Sequence, residues 1–324
     1  MKPIILLAGK NGQVGAELHR LLPELGEVVA PGRQQLDLLD PGSIRRAVRE
    51  IRPQLIVNAA AYTGVDSAET DEAAAHVVNA DAPALLAEEA KRLGAALVHY
   101  STDYIFDGSR ATPYDEEDLT NPLNAYGRTK LAGEKAVRTS GVPHLIFRTS
   151  WVYATHGRNF LLTILRLATE REELKIVCDQ IGSPTCASDI AAATRKILAG
   201  IYRGHPDGSL LDRVSGTYHI TAAGQVSWFD FAKAILEQAP AATRQMSWFV
   251  AALKGRPLIV RRILPITSDE YRSAARRPLY SVLSNSRLTR TFGFALSAWP
   301  TQLQRCFTVE AIGSLPSSAS LPKS

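Results

Sequence analysis

The chain has 324 residues, 45% hydrophobic and 21% charged; this globular composition excludes disordered and fibrous classes and leaves room for one large domain or two sharing a cleft. Its net charge of +5 is unevenly placed, with 16 Lys/Arg against 20 Asp/Glu in residues 1–150 and 21 against 12 in residues 151–324. A basic second half suits a phosphorylated small molecule, whereas nucleic acid is disfavoured because no aromatic-basic interleaving accompanies the charge.

The opening run "MKPIILLAGK" is too short to span a bilayer and passes straight into a glycine loop, so it reads as a first strand of a cytoplasmic protein with no membrane partner. "EVVA", "QLIVNAA", "AALVHYS" and "HLIFRTS" follow as further strands, separated by segments of helical period. That alternation predicts an α/β fold, a Rossmann-type doubly wound parallel sheet, with residues 1–150 as its nucleotide-binding domain. Asp40-Pro41 predicts a capped helix start, and Asn121-Pro122 predicts the same for the segment holding "AYGRTK". Beyond Ser150 the spacing loosens. Helices are expected at 159–171, 188–198 and 227–238 and strands at "LKIVC" and "TYHIT", giving a smaller α/β substrate domain over 151–309, intertwined with the last sheet strands. Residues 310–324 read as a loose tail. Three scattered cysteines, Cys178, Cys186 and Cys306, fit neither a disulfide framework nor paired metal ligands and read as inert thiols in a reducing compartment.

"GKNGQVG" spaces Gly9, Gly12 and Gly15 between the first strand and a helix. Gly9 allows a tight turn, Gly12 lets backbone N–H groups approach a pyrophosphate, and Gly15 lets helix and strand pack closely. The second strand ends in Ala30-Pro31-Gly32-Arg33, without the acid that would bind a ribose 2′-hydroxyl, and Arg33 is positioned to meet a 2′-phosphate instead. Asp37-Leu38 falls where an adenine edge would be read. The small residues of "NAAAYT", Ala60 and Ala61 before Tyr62, allow a cofactor to lie close.

The fourth strand carries Ser101, Thr102 and Asp103 to the carboxyl edge of the sheet, where open α/β folds bind ligands. Tyr126 and Lys130 then fall one helical turn apart on one face. A strand-end hydroxyl with Tyr-x-x-x-Lys beside a nucleotide site is the constellation of a short-chain dehydrogenase/reductase. A free tyrosine, with a pKa of about 10, exchanges protons poorly near neutrality, so the expectation is that the Lys130 ammonium and a cationic nicotinamide bring it down. Thr102 is expected to hydrogen-bond and polarise the substrate oxygen.

The runs "GKNGQVG", "NAAAYTGVDSAE", "HYSTDYIFDG", "NPLNAYGRTKLAGE", "FRTSWVYATHGRNF" and "DQIGSPT" together resemble the dTDP-4-dehydrorhamnose reductase branch of the extended short-chain dehydrogenase/reductase family, over roughly residues 1–295. The resemblance implies reduction of the 4-keto group of dTDP-6-deoxy-L-lyxo-4-hexulose to dTDP-L-rhamnose with either reduced nicotinamide, and the missing acid and Arg33 of this chain favour NADPH, with NADH also accepted. It implies that Gly12, Gln13, Val14, Asp37, Leu38 and the Ala60–Tyr62 turn hold cofactor, and that Thr102, Asp103 and Trp151 meet the dTDP-sugar. Arg277, in the closing segment "RRPLYSVLSNSRL", either touches phosphate or anchors the domain. Some family members dimerise through magnesium bound by glutamates. Glu17 matches the first, but "CASDIAA" offers no second, so no metal is expected and the chain is expected to be a monomer or homodimer. Residues 239–270 are longer and more basic than the family pattern.

Two alternatives stand beside this reading. A sugar-nucleotide epimerase or 4,6-dehydratase belongs to the same extended family, but a dehydratase wants an Asp-Glu pair after the threonine, and Thr102-Asp103 runs into Tyr104. A non-catalytic NADP-binding regulatory subunit, like that of methionine adenosyltransferase, is opposed by the intact Thr102, Tyr126 and Lys130.

Overall fold

The apolar run Ile4–Ala8 (β1) is almost wholly buried, as befits a central strand covered on both faces. In the computed structural model, which describes residues 2–204, 209–239 and 246–308, β1 lies between β2 (Glu27–Val29) and β3 (Leu55–Asn58). The sheet continues through β4 (Ala96–Thr102), β5 (His144–Thr149) and β6 (Gly216–His219). All six strands are parallel, in the order β6-β5-β4-β3-β1-β2.

Helix α1 (Gln13–Leu21) packs with α5 (Ala187–Gly204) on one face of the sheet. The other face is covered by α2 (Pro41–Ile51), α3 (Ala82–Leu93) and α4 (Ala125–Ser140). The strand order reverses at β1, between β2 and β3, and so opens a crevice above their carboxyl ends. Asp40 caps α2 as expected, accepting from Gly42 N–H at 2.8 Å. Asn121 does not cap α4; Asn124 does, accepting from Gly127 N–H at 2.8 Å. Asn121 instead donates to Asp107 at 3.0 Å.

The second half supplies β6 to the sheet and builds a separate apolar cluster around Tyr153, Leu165 and Phe231. Its three longest helices among the described residues run Phe160–Ala168, Ala187–Gly204 and Trp228–Gln238, with Asn159 and Ser227 as caps for the first and third. Strand Glu173–Val177 pairs in parallel with Arg262–Ile266, so part of the long 239–270 stretch is sheet, while residues 240–245 lie outside the described residues. The tail 310–324 also lies outside them. No helix among the described residues is long and apolar enough to cross a membrane.

Candidate active site

The loop after β1 closes on itself through Gly12 N–H, which donates to Gly9 O at 2.9 Å. Gly9 has φ +88°, and a Cβ there would run into the backbone of Ala59 and Ala60; a Cβ at Gly15 would collide with the Gly9 carbonyl. Both positions therefore require glycine. Gly12, the N-cap of α1, makes no side-chain cap bond, and a Cβ there would come no closer than 3.4 Å to protein. The first N–H groups of α1, from Gln13 and Val14 onward, are thus left at an open helix end, which suits an anion. The Gln13 side chain turns elsewhere: it accepts from Asn159 at 2.9 Å and donates to Val152 O at 3.4 Å, tying the loop to the second half. Val14 packs on the apolar core beneath.

A cleft of about 480 Å³ lies between the loops that follow β1, β2 and β3, with Gly12, Leu36, Leu38 and Ala60 among its walls. Arg33 lines it too, 75% exposed, its Nε 3.6 Å from the Asp37 carboxylate. Asp37 also accepts from Leu39 N–H at 3.0 Å, and Leu38 is buried against the core of α2. The Ala60–Tyr62 turn is clamped by Asn79, which accepts from Tyr62 N–H at 2.9 Å and donates to Tyr62 O at 3.1 Å. Asn79 sits in a π-helical turn, Val77–Asp81, and nothing in the helical sequence pattern singles it out. Lys10, also unforeseen, lies in the cleft with Nζ donating to Ala30 O at 2.6 Å; a cation inside a phosphate-type loop was the available signal. Apolar walls, two cations and an open helix end fit the adenosine and phosphates of a dinucleotide.

At the far edge of the crevice, Thr102 ends β4. Its hydroxyl accepts from Tyr104 N–H at 3.2 Å and donates to Asp103 at 3.1 Å. Helix α4 is pressed onto this turn, because a Cβ at Gly127 would collide with the Tyr104 carbonyl. That close approach sets the half-buried Tyr126 beside the end of β4 that carries Thr102. Burial pushes the Tyr126 phenol up to about 12; the Thr102 hydrogen bond opposes the rise and the Asp103 charge adds to it.

The expectation that Lys130 brings the phenol down is not what the protein alone shows. Lys130 is buried, and its Nζ donates to Tyr100 O at 2.6 Å and lies 3.4 Å from His99 Nε2. The tyrosine's shift comes from burial, Thr102 and Asp103. Burial lowers Lys130 itself to about 8, against a pull upward from Glu134.

Asp103 is turned inward. It is 3% exposed, and Thr102, Ser150 (3.0 Å) and Ser281 hydrogen-bond its carboxylate, yet burial outweighs these bonds and raises it to about 6. Trp151 lies flat on Trp228, and Arg277 grips Asp66 through both terminal nitrogens, at 2.7 and 3.1 Å, while touching Tyr104. Tyr104 meets the Tyr126 ring edge-on at 5.9 Å. Arg272, Arg276 and Arg277 line a second cleft of about 740 Å³ with Gln180 and Asp107.

Glu17 pairs with Arg20 at 3.2 Å and His156 at 3.3 Å. No cluster of three or more His, Cys, Asp or Glu able to hold a metal occurs among the described residues. The cysteines are less scattered than their spacing suggests: Cys186 and Cys306 sulfurs lie 3.8 Å apart.

A glycine loop on the first β-α turn, with Thr102, Tyr126 and Lys130 at the carboxyl edge of a parallel sheet, is the architecture of the extended short-chain dehydrogenase/reductases. The family described as RmlD substrate binding domain matches residues 1–311. A dTDP-4-dehydrorhamnose reductase of Burkholderia thailandensis is 50% identical over 303 residues, 93% of this chain and 97% of its own length. Its Escherichia coli namesake is 41% identical over 316 residues, 95% and 99%. The crystal structure of dTDP-4-dehydrorhamnose reductase from Bacillus anthracis, in complex with NADP, superposes with a TM-score of 0.82 at 36% identity, covering 95% of this chain and 99% of that one. The chain belongs to the dTDP-4-dehydrorhamnose reductase family.

Proposed function

We propose that this protein reduces the 4-keto group of dTDP-6-deoxy-L-lyxo-4-hexulose to dTDP-L-rhamnose, using NADPH in preference to NADH. The observation that carries the reading is the placement of Thr102 at the carboxyl end of β4 with Tyr126 on the helix that Gly127 lets press against it, beside a cleft fitted to a dinucleotide. A phenol at about 12 keeps its proton at neutral pH, so Tyr126 is stocked as the acid that protonates the substrate oxygen. Thr102 orients that oxygen, and Lys130 holds the nicotinamide ribose. The bound cofactor supplies the hydride.

Residues 1–150 carry the cofactor in this reading: the loop of Gly9, Gly12, Gln13, Val14 and Gly15, then Arg33, Asp37, Leu38 and the Ala60–Tyr62 turn. Residues 151–309 mainly carry the sugar nucleotide. Trp151 meets the sugar or base. Asp103, locked by three hydroxyls, shapes the floor beneath the substrate, and Arg277 fixes the wall of the second cleft, whose Arg272 and Arg276 suit a diphosphate. The protein acts in the cytoplasm as a monomer or homodimer, without a metal. Incubation with NADPH and the keto sugar nucleotide, followed by chromatographic identification of the product, tests this reading. dTDP-L-rhamnose is expected, and recovery of unreduced sugar overturns it.

A further inference from the structure

Beneath the catalytic pair lies a buried chain of polar groups whose inner members, Asn58 and His99, the mechanism above does not use. It runs from the backbone of Ala60 through Asn58 at the end of β3 and His99 on β4 to Lys130 on α4. Asn58, His99 and Lys130 are each no more than 1% exposed. Ala60 N–H donates to Asn58 Oδ1 at 3.2 Å. Asn58 Nδ2 lies 3.2 Å from His99 Nδ1, and His99 Nε2 lies 3.4 Å from Lys130 Nζ.

Donor and acceptor roles along this chain are not free. A backbone N–H can only donate, so Asn58 Oδ1 is the acceptor, and its amide nitrogen must face His99 as a donor. His99 Nδ1 is then the acceptor. Burial, the larger cause, holds His99 well below its ordinary pKa, so the ring is neutral and its single proton sits on Nε2, facing Lys130. An ammonium there would set N–H against N–H without a lone pair between them. An amine satisfies every group: one N–H donates to Tyr100 O at 2.6 Å, and the lone pair accepts from His99.

We infer that Asn58 and His99 are positioning residues that fix the Nε2–H tautomer of His99 and so make the neutral amine the resting form of Lys130 in the free protein. The other groups facing Lys130 agree with this. Glu134, one turn further along α4, favours the ammonium but is engaged by Arg148 of β5 at 2.8 Å, and Tyr126, one turn earlier, is a neutral phenol. Burial, opposed by Glu134, brings Lys130 to about 8, and an imidazole N–H aimed at it works in the same direction as burial. The consequence for turnover rests on the reductase reading, in which the reaction consumes a proton. Lys130 must then be charged for Tyr126 to be resupplied, so the alkaline fall of kcat/KM reports the Lys130 ionisation.

Nitrogen–proton correlation NMR on histidine-labelled protein tests the tautomer directly, with His99→Gln used to assign the signal among the seven histidines. Nε2–H is expected, and a proton on Nδ1 in the parent protein overturns the inference. Asn58→Asp supplies the second readout. Its carboxylate accepts from both Ala60 N–H and His99 Nδ1–H, which frees Nε2 to accept from an ammonium. This variant is expected to move the His99 proton to Nδ1 and the alkaline limb of kcat/KM up by about one pH unit or more. An unchanged limb with a switched tautomer overturns the link to Lys130. A parent protein with the Nε2–H tautomer but no reductase activity leaves the proton arrangement standing and defeats the functional reading instead.

Discussion

The indoles of Trp151 and Trp228 lie face to face, with ring centroids 3.4 Å apart and planes within 4°. Trp151 reaches this position through a left-handed backbone, φ +46°, a conformation costing about 1–3 kcal/mol for a bulky residue. Gly182 lies against the same indole, where a Cβ would collide with the ring. The plate is fixed by a second tryptophan stacked on it and a glycine packed against it. Trp151→Ala should therefore raise KM for the sugar nucleotide several-fold more than KM for cofactor, about 1 kcal/mol of lost binding. Gly182→Ala should reproduce the effect by displacing the ring, read out in tryptophan fluorescence. Equal rises in both KM values would mark a folding defect instead.

Asp103 gives a stability signature with a definite sign. Its folded carboxyl titrates near 6, above the roughly 3.9 of an unfolded chain. It therefore favours the folded state below about pH 4, and this contribution is lost as pH rises through 6. The two-unit gap corresponds to at most about 3 kcal/mol. Asp103→Asn removes the titration, so its stability relative to the parent should improve between pH 4 and 7 in urea unfolding. A difference that stays constant with pH would show that the carboxyl is not raised.

Arg148 and Glu134 form an ion pair at 2.8 Å with 1% and 0% of their side chains exposed. Arg148→Met leaves a buried carboxylate without its partner and should cost about 3–5 kcal/mol of unfolding free energy. Adding Glu134→Leu should recover part of that loss. A double variant no more stable than the single one would mean that packing around Arg148, rather than the charge, decides the outcome.

Cofactor choice turns on Arg33. Its guanidinium is exposed at the mouth of the cleft, 3.6 Å from the Asp37 carboxylate, its one ion-pair partner among the described residues, so it can swing onto a 2′-phosphate. A charge-assisted hydrogen bond of about 1.5–3 kcal/mol corresponds to one to two powers of ten in preference. NADPH should exceed NADH in kcat/KM by about that factor, and Arg33→Ala should erase most of the difference while sparing NADH. Equal use of both cofactors by the parent would show Arg33 pointing to solvent.

Local pattern made the nucleotide half legible. β1 to β5 are short apolar runs, Asp40 is a cap that needs only its own helix, and the glycine spacing encodes a turn made by adjacent residues. What pattern could not reach depends on partners distant in the chain. Asn124 rather than Asn121 caps α4, and its amide is also held by the Arg276 carbonyl. Asn79 clamps the Tyr62 turn, Trp228 covers Trp151, and Cys306 sits beside Cys186. Lys130 was found by its spacing from Tyr126, but its proton balance is set by β3 and β4, which no helical period reveals.

The central claim is that Tyr126 delivers the proton to a keto group reduced by nicotinamide. Absorbance at the reduced-nicotinamide band, followed after adding the keto sugar nucleotide to parent protein and to Tyr126→Phe, tests it most directly. The parent should consume NADPH. Tyr126→Phe should bind NADPH with unchanged affinity and turn over at least about a hundredfold more slowly, the usual contribution of a positioned acid. A flat trace from the parent, or near-parental consumption by Tyr126→Phe, would contradict the account.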